Sequence, residues 1–263
     1  MRPALLGAVS YLNTKPLVRG LESRPDLFDL RFDVPAVCAT LLHEGRVDVG
    51  LIPAIEYLRG DYRIVPDIAI GSDGIVDSVA IFSTRPIEQV QTLALDTSSR
   101  SSVALTRILC AKHWGIAPVF TPAEPDVRRM LARADAALVI GDPALEIDAE
   151  RIGARKIDLG EAWKALTGLP FVYAAWCGRD GALDTAQVAA LQAARARGEA
   201  ELDAIARETA PGDADGADRV LRYLRDTLKY GLGDREVAGL NRFHELAVEL
   251  GLAPARRPIR FFR

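Results

Sequence analysis

The chain has 263 residues, enough for one large domain or for two lobes of roughly 100–150 residues each. Hydrophobic residues make up 49% and charged residues 26%, as expected of a folded protein that buries a sizeable core. A net charge of −3 gives no bulk attraction to nucleic acid or an anionic membrane, so an anionic ligand must be held by local dipoles and a few placed groups.

The apolar run Ala4–Val9 predicts a buried strand ending abruptly in the polar turn Ser10-Tyr11-Leu12-Asn13. Pro16 comes where a helix would open, a position at which its missing N–H has no partner in any case. Such a strand-to-helix turn is a favoured ligand position in open α/β proteins, although a capped turn without a ligand has the same local chemistry. A helix is expected over 16–22, a strand over 30–34, and a helix over 36–44 closed by Gly45. Residues 47–52 form the next strand, Pro53 opens a short helix, and 62–65, 68–70 and 78–83 are extended. This alternation is the signature of a largely parallel sheet covered by helices.

The pattern pauses over 84–91 and restarts with a strand at 93–95, a long amphipathic helix over 99–114, an extended segment at 118–120 and a helix over 126–133. The run Ala136–Ile140 is a strand that ends in Gly141-Asp142-Pro143. Next come a helix through Leu145, a strand over 156–159, a helix over 161–167 and a strand over 171–176. Three helices at about 184–208, 215–230 and 234–250 complete the chain. The expectation is a bilobed α/β clamp: residues 1–83 and 178–263 form a discontinuous first lobe with the C-terminal helices, and residues 84–177 form the second. The crossings then lie at 78–85 and 171–178. One continuous doubly wound sheet is the competing arrangement.

Cys38, Cys110 and Cys177 are scattered in apolar contexts with no metal-ligand spacing, which predicts buried thiols. His43, His113 and His244 fall on expected helices away from the polar turns. No signal-peptide pattern or membrane span is read, so the expected location is the cytoplasm. Dinucleotide, P-loop, nucleophile-elbow and zinc-protease fingerprints do not occur. The C-terminal helices offer apolar faces that would cover their own lobe first and could serve a homodimer second.

Asp96-Thr97-Ser98-Ser99-Arg100-Ser101-Ser102 adjoins one strand directly and leads into the long helix. An N-cap needs one hydroxyl, and five here leave spare donors beside a positive helix end suited to a carboxylate. Arg100 could add a bidentate partner or point to water. In the matching turn Ile140-Gly141-Asp142, Gly141 permits close backbone approach, and Asp142 either caps the next helix or meets a substrate hydroxyl. Ile52 and Pro53 end the equivalent strand of the first block and offer backbone groups.

Five segments together resemble the chorismate dehydratase family, which acts first in the futalosine route to menaquinone. They are Ser10-Tyr11-Leu12-Asn13, Val47-Asp48-Val49-Gly50-Leu51-Ile52-Pro53, the hydroxyl cluster from Leu95 to Ser102, Ala137-Leu138-Val139-Ile140-Gly141-Asp142-Pro143-Ala144-Leu145, and Asp158-Leu159-Gly160-Glu161-Ala162-Trp163. The likeness runs over essentially the whole chain with the motifs in family order. It implies a fold like the type II periplasmic binding proteins without their export signal. It also implies conversion of chorismate to 3-[(1-carboxyvinyl)oxy]benzoate by loss of water, with no cofactor or metal. Chorismate is a dianion, and two facing lobes with hydroxyl-lined helix ends could hold one carboxylate each. On this reading Asn13 and Ser78 are catalytic. Ser10, Tyr11, Ile52, Pro53, Thr97, Ser98, Ser99, Arg100, Ser101, Ile140, Gly141 and Asp142 bind substrate. The proton acceptor is either the substrate's own enolpyruvyl carboxylate or one of Asp142 and Asp96. Two alternatives stand: the sister 1,4-dihydroxy-6-naphthoate synthase of the same pathway, and a non-catalytic solute-binding protein. The two polar turns and the lack of a placed histidine count against the first, and the absence of a signal peptide and lipobox cysteine against the second.

Overall fold

Two mixed β-sheets organise the computed structural model, which describes residues 2–263. The first sheet has the order β2 (Phe28–Asp33), β1 (Ala4–Val9), β3 (Val49–Pro53), β11 (Phe171–Arg179) and β4 (Tyr62–Ile64), with β5 (Ile70–Ser72) also on β11. In it β1 runs parallel to β2 and β3, whereas β11 is antiparallel to β3, β4 and β5. The second sheet has the order β10 (Arg155–Asp158), β6 (Val79–Ser83), β9 (Ala136–Ile140), β7 (Thr92–Asp96) and β8 (Val119–Ala123). There β6 is antiparallel to β9 and β10, and β7 is parallel to β8 and β9.

The chain therefore leaves the first sheet through residues 73–78 and returns through 168–170. The expected crossings at 78–85 and 171–178 are displaced, because strand 79–83 pairs in the second sheet and strand 171–179 in the first. Both strands are buried almost throughout, and a continuously apolar strand reads alike whichever sheet takes its hydrogen bonds. The same two strands enter antiparallel, so neither sheet is largely parallel.

Helices α1 (Pro35–His43), α2 (Arg100–Lys112), α3 (Val127–Leu131), α4 (Asp142–Glu146) and α5 (Leu159–Thr167) connect the strands. Helices α6 (Thr185–Ala200), α7 (Leu202–Thr209), α8 (Ala214–Arg222) and α9 (Asp234–Glu249) form the tail. After β1 the chain makes a 3-10 turn over Leu12–Val18 instead of a helix over 16–22. Pro16 inside that turn supplies no amide for an i→i−4 bond, and the tighter winding results. Helix α8 closes in a π turn over Tyr223–Thr227, where continuous α-helix was expected. Among the described residues no helix is long and apolar enough to cross a membrane.

The tail lies largely against the first sheet. Helix α6 opens with a reciprocal capping box between Asp184 and Gln187, then packs along the Leu12–Val18 turn. Gly198 touches the Pro16 backbone so closely that a Cβ there would strike the Pro16 carbonyl. Helix α9 rests on β11 and on the 3-10 segment Ala54–Arg59. Phe243 of α9 meets Phe171 edge-on at 4.9 Å, and Phe171 meets Trp163 of α5 at 5.2 Å. That aromatic cluster sits where the chain returns from the second sheet. His244 is 1% exposed, donates through Nε2 to the Ala54 carbonyl at 3.0 Å and stacks on Tyr57.

Two stability measurements test this packing. Gly198→Ala forces α6 off the turn that carries Asn13, and urea unfolding should show a loss of about 1–3 kcal/mol. Burial lowers the His244 pKa to about 4 from 6.5, so the unfolded chain takes up a proton that the native chain refuses. Stability from this residue is complete above the unfolded pKa of 6.5 and is lost as pH falls toward about 4. The loss is about 3 kcal/mol, and His244→Gln should flatten that part of the unfolding profile.

Candidate active site

The polar turn after β1 meets the second sheet across a seam. The Leu12 amide donates to both Asp142 carboxylate oxygens, at 3.0 and 3.2 Å. The Tyr11 hydroxyl donates to Ser98 Oγ at 3.3 Å, and the Ala36 amide at the start of α1 donates to the Ser98 carbonyl at 2.9 Å. Ser98 is itself held by Asp96, which accepts from its amide at 2.9 Å and its hydroxyl at 2.6 Å. The other Asp96 oxygen accepts from the Ile140 amide at 3.3 Å. Gly141 has φ of 70° and lies under the Tyr11 ring, and any side chain there would meet that ring at 2.8 Å. The close approach anticipated at Gly141 is thus made by Tyr11.

Behind these contacts lies a narrow cavity of about 40 Å3. Tyr11, Asn13, Ser78, Ser99, Ile140 and Gly141 line it, joined by Ser102, Tyr173 and Leu228. Ser99 caps α2, and its Oγ accepts from the Ser102 amide at 3.4 Å and the Ser102 hydroxyl at 3.0 Å. The α2 N-terminus therefore borders the cavity and presents the positive end of its dipole. Ser78 sits on the outgoing crossing and is 1% exposed. Its amide donates to the Val76 carbonyl at 2.7 Å, and its carbonyl accepts from the Gly141 amide at 2.8 Å. Asp158 steadies the same crossing by accepting from the Val76 and Asp77 amides while capping α5. Burial pushes the Asp158 carboxyl up, against those amide bonds.

Tyr223 completes the site and has no counterpart among the residues expected there. Its hydroxyl donates to Ser78 Oγ at 2.8 Å. Burial pushes that hydroxyl well above the ordinary tyrosine range, and the Ser78 and Asn13 side chains beside it oppose the shift. In the sequence Tyr223 continues the apolar stripe of a helix and carries no signal beyond core. Tyr173 and Ser102 are equally hidden, one in an apolar strand and the other among neighbouring serines.

The other candidates lie elsewhere. Ser10 and Asp142 face an outer hollow of about 940 Å3, shared with Lys15, Arg219, Arg222 and Tyr223. Burial pushes the Asp142 carboxyl up, and the Leu12 amide and Lys15 pull it back. Ile52 and Pro53 are spent in β3, paired with Ala175 and Ala174. Thr97 is exposed, beside a separate hollow. Ser101 is fully buried, and its Oγ accepts from the Ile55 amide at 3.1 Å. Arg100 turns away from the cavity to Glu56 at 2.9 Å and the Thr40 hydroxyl at 3.0 Å. Glu56 is fully buried and also takes His43 at 2.7 Å and Arg59 at 2.9 Å. Burial pushes its carboxyl up, but His43, Arg100 and Arg59 outweigh that and hold it below the usual range. A buried carboxylate thus claims the guanidinium that the sequence offered to substrate.

The inner cavity is walled mainly by apolar side chains, among them Val9, Ile70, Val79 and Leu228, into which a few hydroxyls and the Asn13 amide are set, with no lysine, arginine or histidine among the described residues lining it. Among the described residues no group of three or more His, Cys, Asp or Glu is placed to hold a metal ion. An apolar cavity with a few placed hydroxyls and one amide suits a small metabolite that is oriented by those groups, and it offers no strong protein base.

Comparison with known proteins agrees with this picture. A family described as menaquinone biosynthesis matches residues 4–249. The chorismate dehydratase of Thermus thermophilus is 31% identical over 279 residues, covering 98% of this chain and 100% of that protein. The chorismate dehydratase of Campylobacter jejuni is 27% identical over 176 residues, covering 65% of each. Among solved structures, protein AF1704 from Archaeoglobus fulgidus superposes with a TM-score of 0.72 at 16% identity, over 95% of this chain and 98% of that one. The alkanesulfonate-binding protein SsuA from Xanthomonas axonopodis pv. citri gives 0.67 at 16% identity, over 97% and 96%. The fold is that of the periplasmic binding proteins, and the chain belongs to the menaquinone biosynthesis family.

Proposed function

We propose that this chain dehydrates chorismate, giving 3-[(1-carboxyvinyl)oxy]benzoate and water. The observation that carries the reading is the end-to-end likeness to the Thermus thermophilus chorismate dehydratase. The cavity supports it, because Asn13 from one side of the seam and Ser78 from the crossing line one buried space beside the α2 N-terminus. Sites for small metabolites run to about 300 Å3 or more, so the two sheets part to admit substrate. Parting them breaks the Leu12–Asp142, Tyr11–Ser98 and Ala36–Ser98 contacts and frees their donors. The two carboxylates of chorismate then meet amide and hydroxyl donors from opposite sides.

The reaction takes a proton from the ring carbon that bears the enolpyruvyl ether. That C–H electron pair becomes a ring π bond, and the neighbouring C–O bond breaks with its pair going to oxygen. The enolpyruvyl carboxylate, held over the ring, receives the proton and passes it to the departing hydroxide, so that water leaves and the ring becomes aromatic. Asn13 orients that carboxylate, and Ser78 donates to the leaving hydroxyl. Aromatisation supplies the driving force, and the protein contributes geometry and fixed dipoles. Asp96 already accepts from Ser98 and the Ile140 amide, which counts against it as base.

Purified protein, given chorismate without added metal or nucleotide, should form the benzoate product, monitored by chromatography. Asn13→Ala and Ser78→Ala should each lower kcat by on the order of 100-fold while chorismate still binds, as measured by calorimetry. Recovery of unchanged chorismate from the wild type identifies a binding protein instead. Asp142→Asn keeps an acceptor for the Leu12 amide, and turnover should fall by less than about tenfold. Abolished turnover with undiminished affinity would transfer the role of base to Asp142.

A further inference from the structure

We infer that Tyr223 is a positioning residue of this site, holding the Ser78 hydroxyl so that its proton points at the hydroxyl leaving the substrate. The inference rests on the dehydratase reading and adds a residue that acts through Ser78.

The Ser78 main chain is fixed on both sides, by Val76 at its amide and by Gly141 at its carbonyl. Only the hydroxyl rotor is left free. A serine hydroxyl offers one proton and two acceptor positions. Tyr223 Oη donates to one acceptor position at 2.8 Å, which directs the serine proton elsewhere. That bond is buried, with Tyr223 5% and Ser78 1% exposed, so water does not compete for it.

A second residue of the cavity lining lies beside the tyrosine oxygen. Asn13 Oδ1 accepts from the Thr14 hydroxyl at 3.3 Å, and the Asn13 side chain lies beside the Tyr223 hydroxyl. Asn13 and Ser78 lie on separate parts of the chain and line one cavity, and Tyr223 donates to Ser78.

The backbone that carries Tyr223 is built to hold it still. The π turn Tyr223–Thr227 directs the ring inward. The Leu228 amide then donates to the Tyr223 carbonyl at 3.3 Å. Lys229 exchanges two backbone bonds with Gly71 of β5, each 2.8 Å, which docks the segment on the first sheet. The residue also borders the outer hollow, while its hydroxyl reaches Ser78 on the inner cavity. Phenylalanine keeps the ring, so Tyr223→Phe removes the hydroxyl alone.

The test starts from wild-type turnover of chorismate, whose absence would sink the dehydratase reading and leave the geometry of Tyr223 untouched. Given turnover, Tyr223→Phe should lower kcat roughly 10- to 100-fold with KM within about threefold. Ser78→Ala combined with Tyr223→Phe should be no slower than Ser78→Ala alone, since both remove the same oriented proton. A kcat within about twofold of wild type, a loss confined to KM, or losses that multiply would each overturn the inference. Should Tyr223→Phe fail to fold, 2,3,5-trifluorotyrosine at position 223 keeps the ring and hydroxyl but makes the phenol far more acidic. Its kcat should then collapse at alkaline pH where the wild type persists, and superimposable pH profiles would refute the role.

Discussion

Across the seam between the two sheets, main-chain amides of the first donate to side chains and carbonyls of the second, over one apolar core that runs through both. Leu12 gives its amide to Asp142, Ala36 to the Ser98 carbonyl and Ile55 to Ser101. Each of these bonds is one that water can replace at modest net cost. On the proposed function, the donors that close the protein on itself are the ones freed for an anionic substrate.

On the proposed function, the substrate is a doubly charged molecule, yet the described residues lining the cavity include no lysine, arginine or histidine. Arginine side chains are present nearby but are committed. Arg100 is drawn onto Glu56 together with His43 and Arg59, and that group links α2 of the second half to the Ala54–Arg59 segment of the first. A buried carboxylate has to be compensated, and it takes the charges within reach. On the proposed function, electrostatic recognition in the cavity falls to the α2 N-terminus and placed hydroxyls, which stabilise charge without long flexible side chains.

Much of this was legible in the residues. Alternating apolar runs marked most strands to within a few positions, and Ala136–Ile140 matched throughout. The hydroxyl cluster before α2 and the glycine at 141 come together at the seam, because capping and close approach are local requirements that local sequence must meet. What the cluster could not disclose was the division of labour within it. Ser99 faces the cavity, Ser101 faces the seam and Arg100 faces a buried acid one turn of helix away. Those directions depend on which sheet each strand joins, and β6 and β11 are apolar enough to suit either. Tyr223 was illegible for a related reason: a tyrosine on an apolar helical stripe looks like core until its hydroxyl is seen to find Ser78.

The π turn that delivers Tyr223 spreads its hydrogen bonds over one more residue than an α-helix would. Its length is therefore as constrained as its composition. Removing any one of residues 223–227 would let the segment rewind as ordinary α-helix and swing Leu228 and Lys229 by about 100°. An exchange of the exposed side chains of that segment leaves its path intact, whereas a change in the number of its residues uncouples Tyr223 from the strand that anchors Lys229.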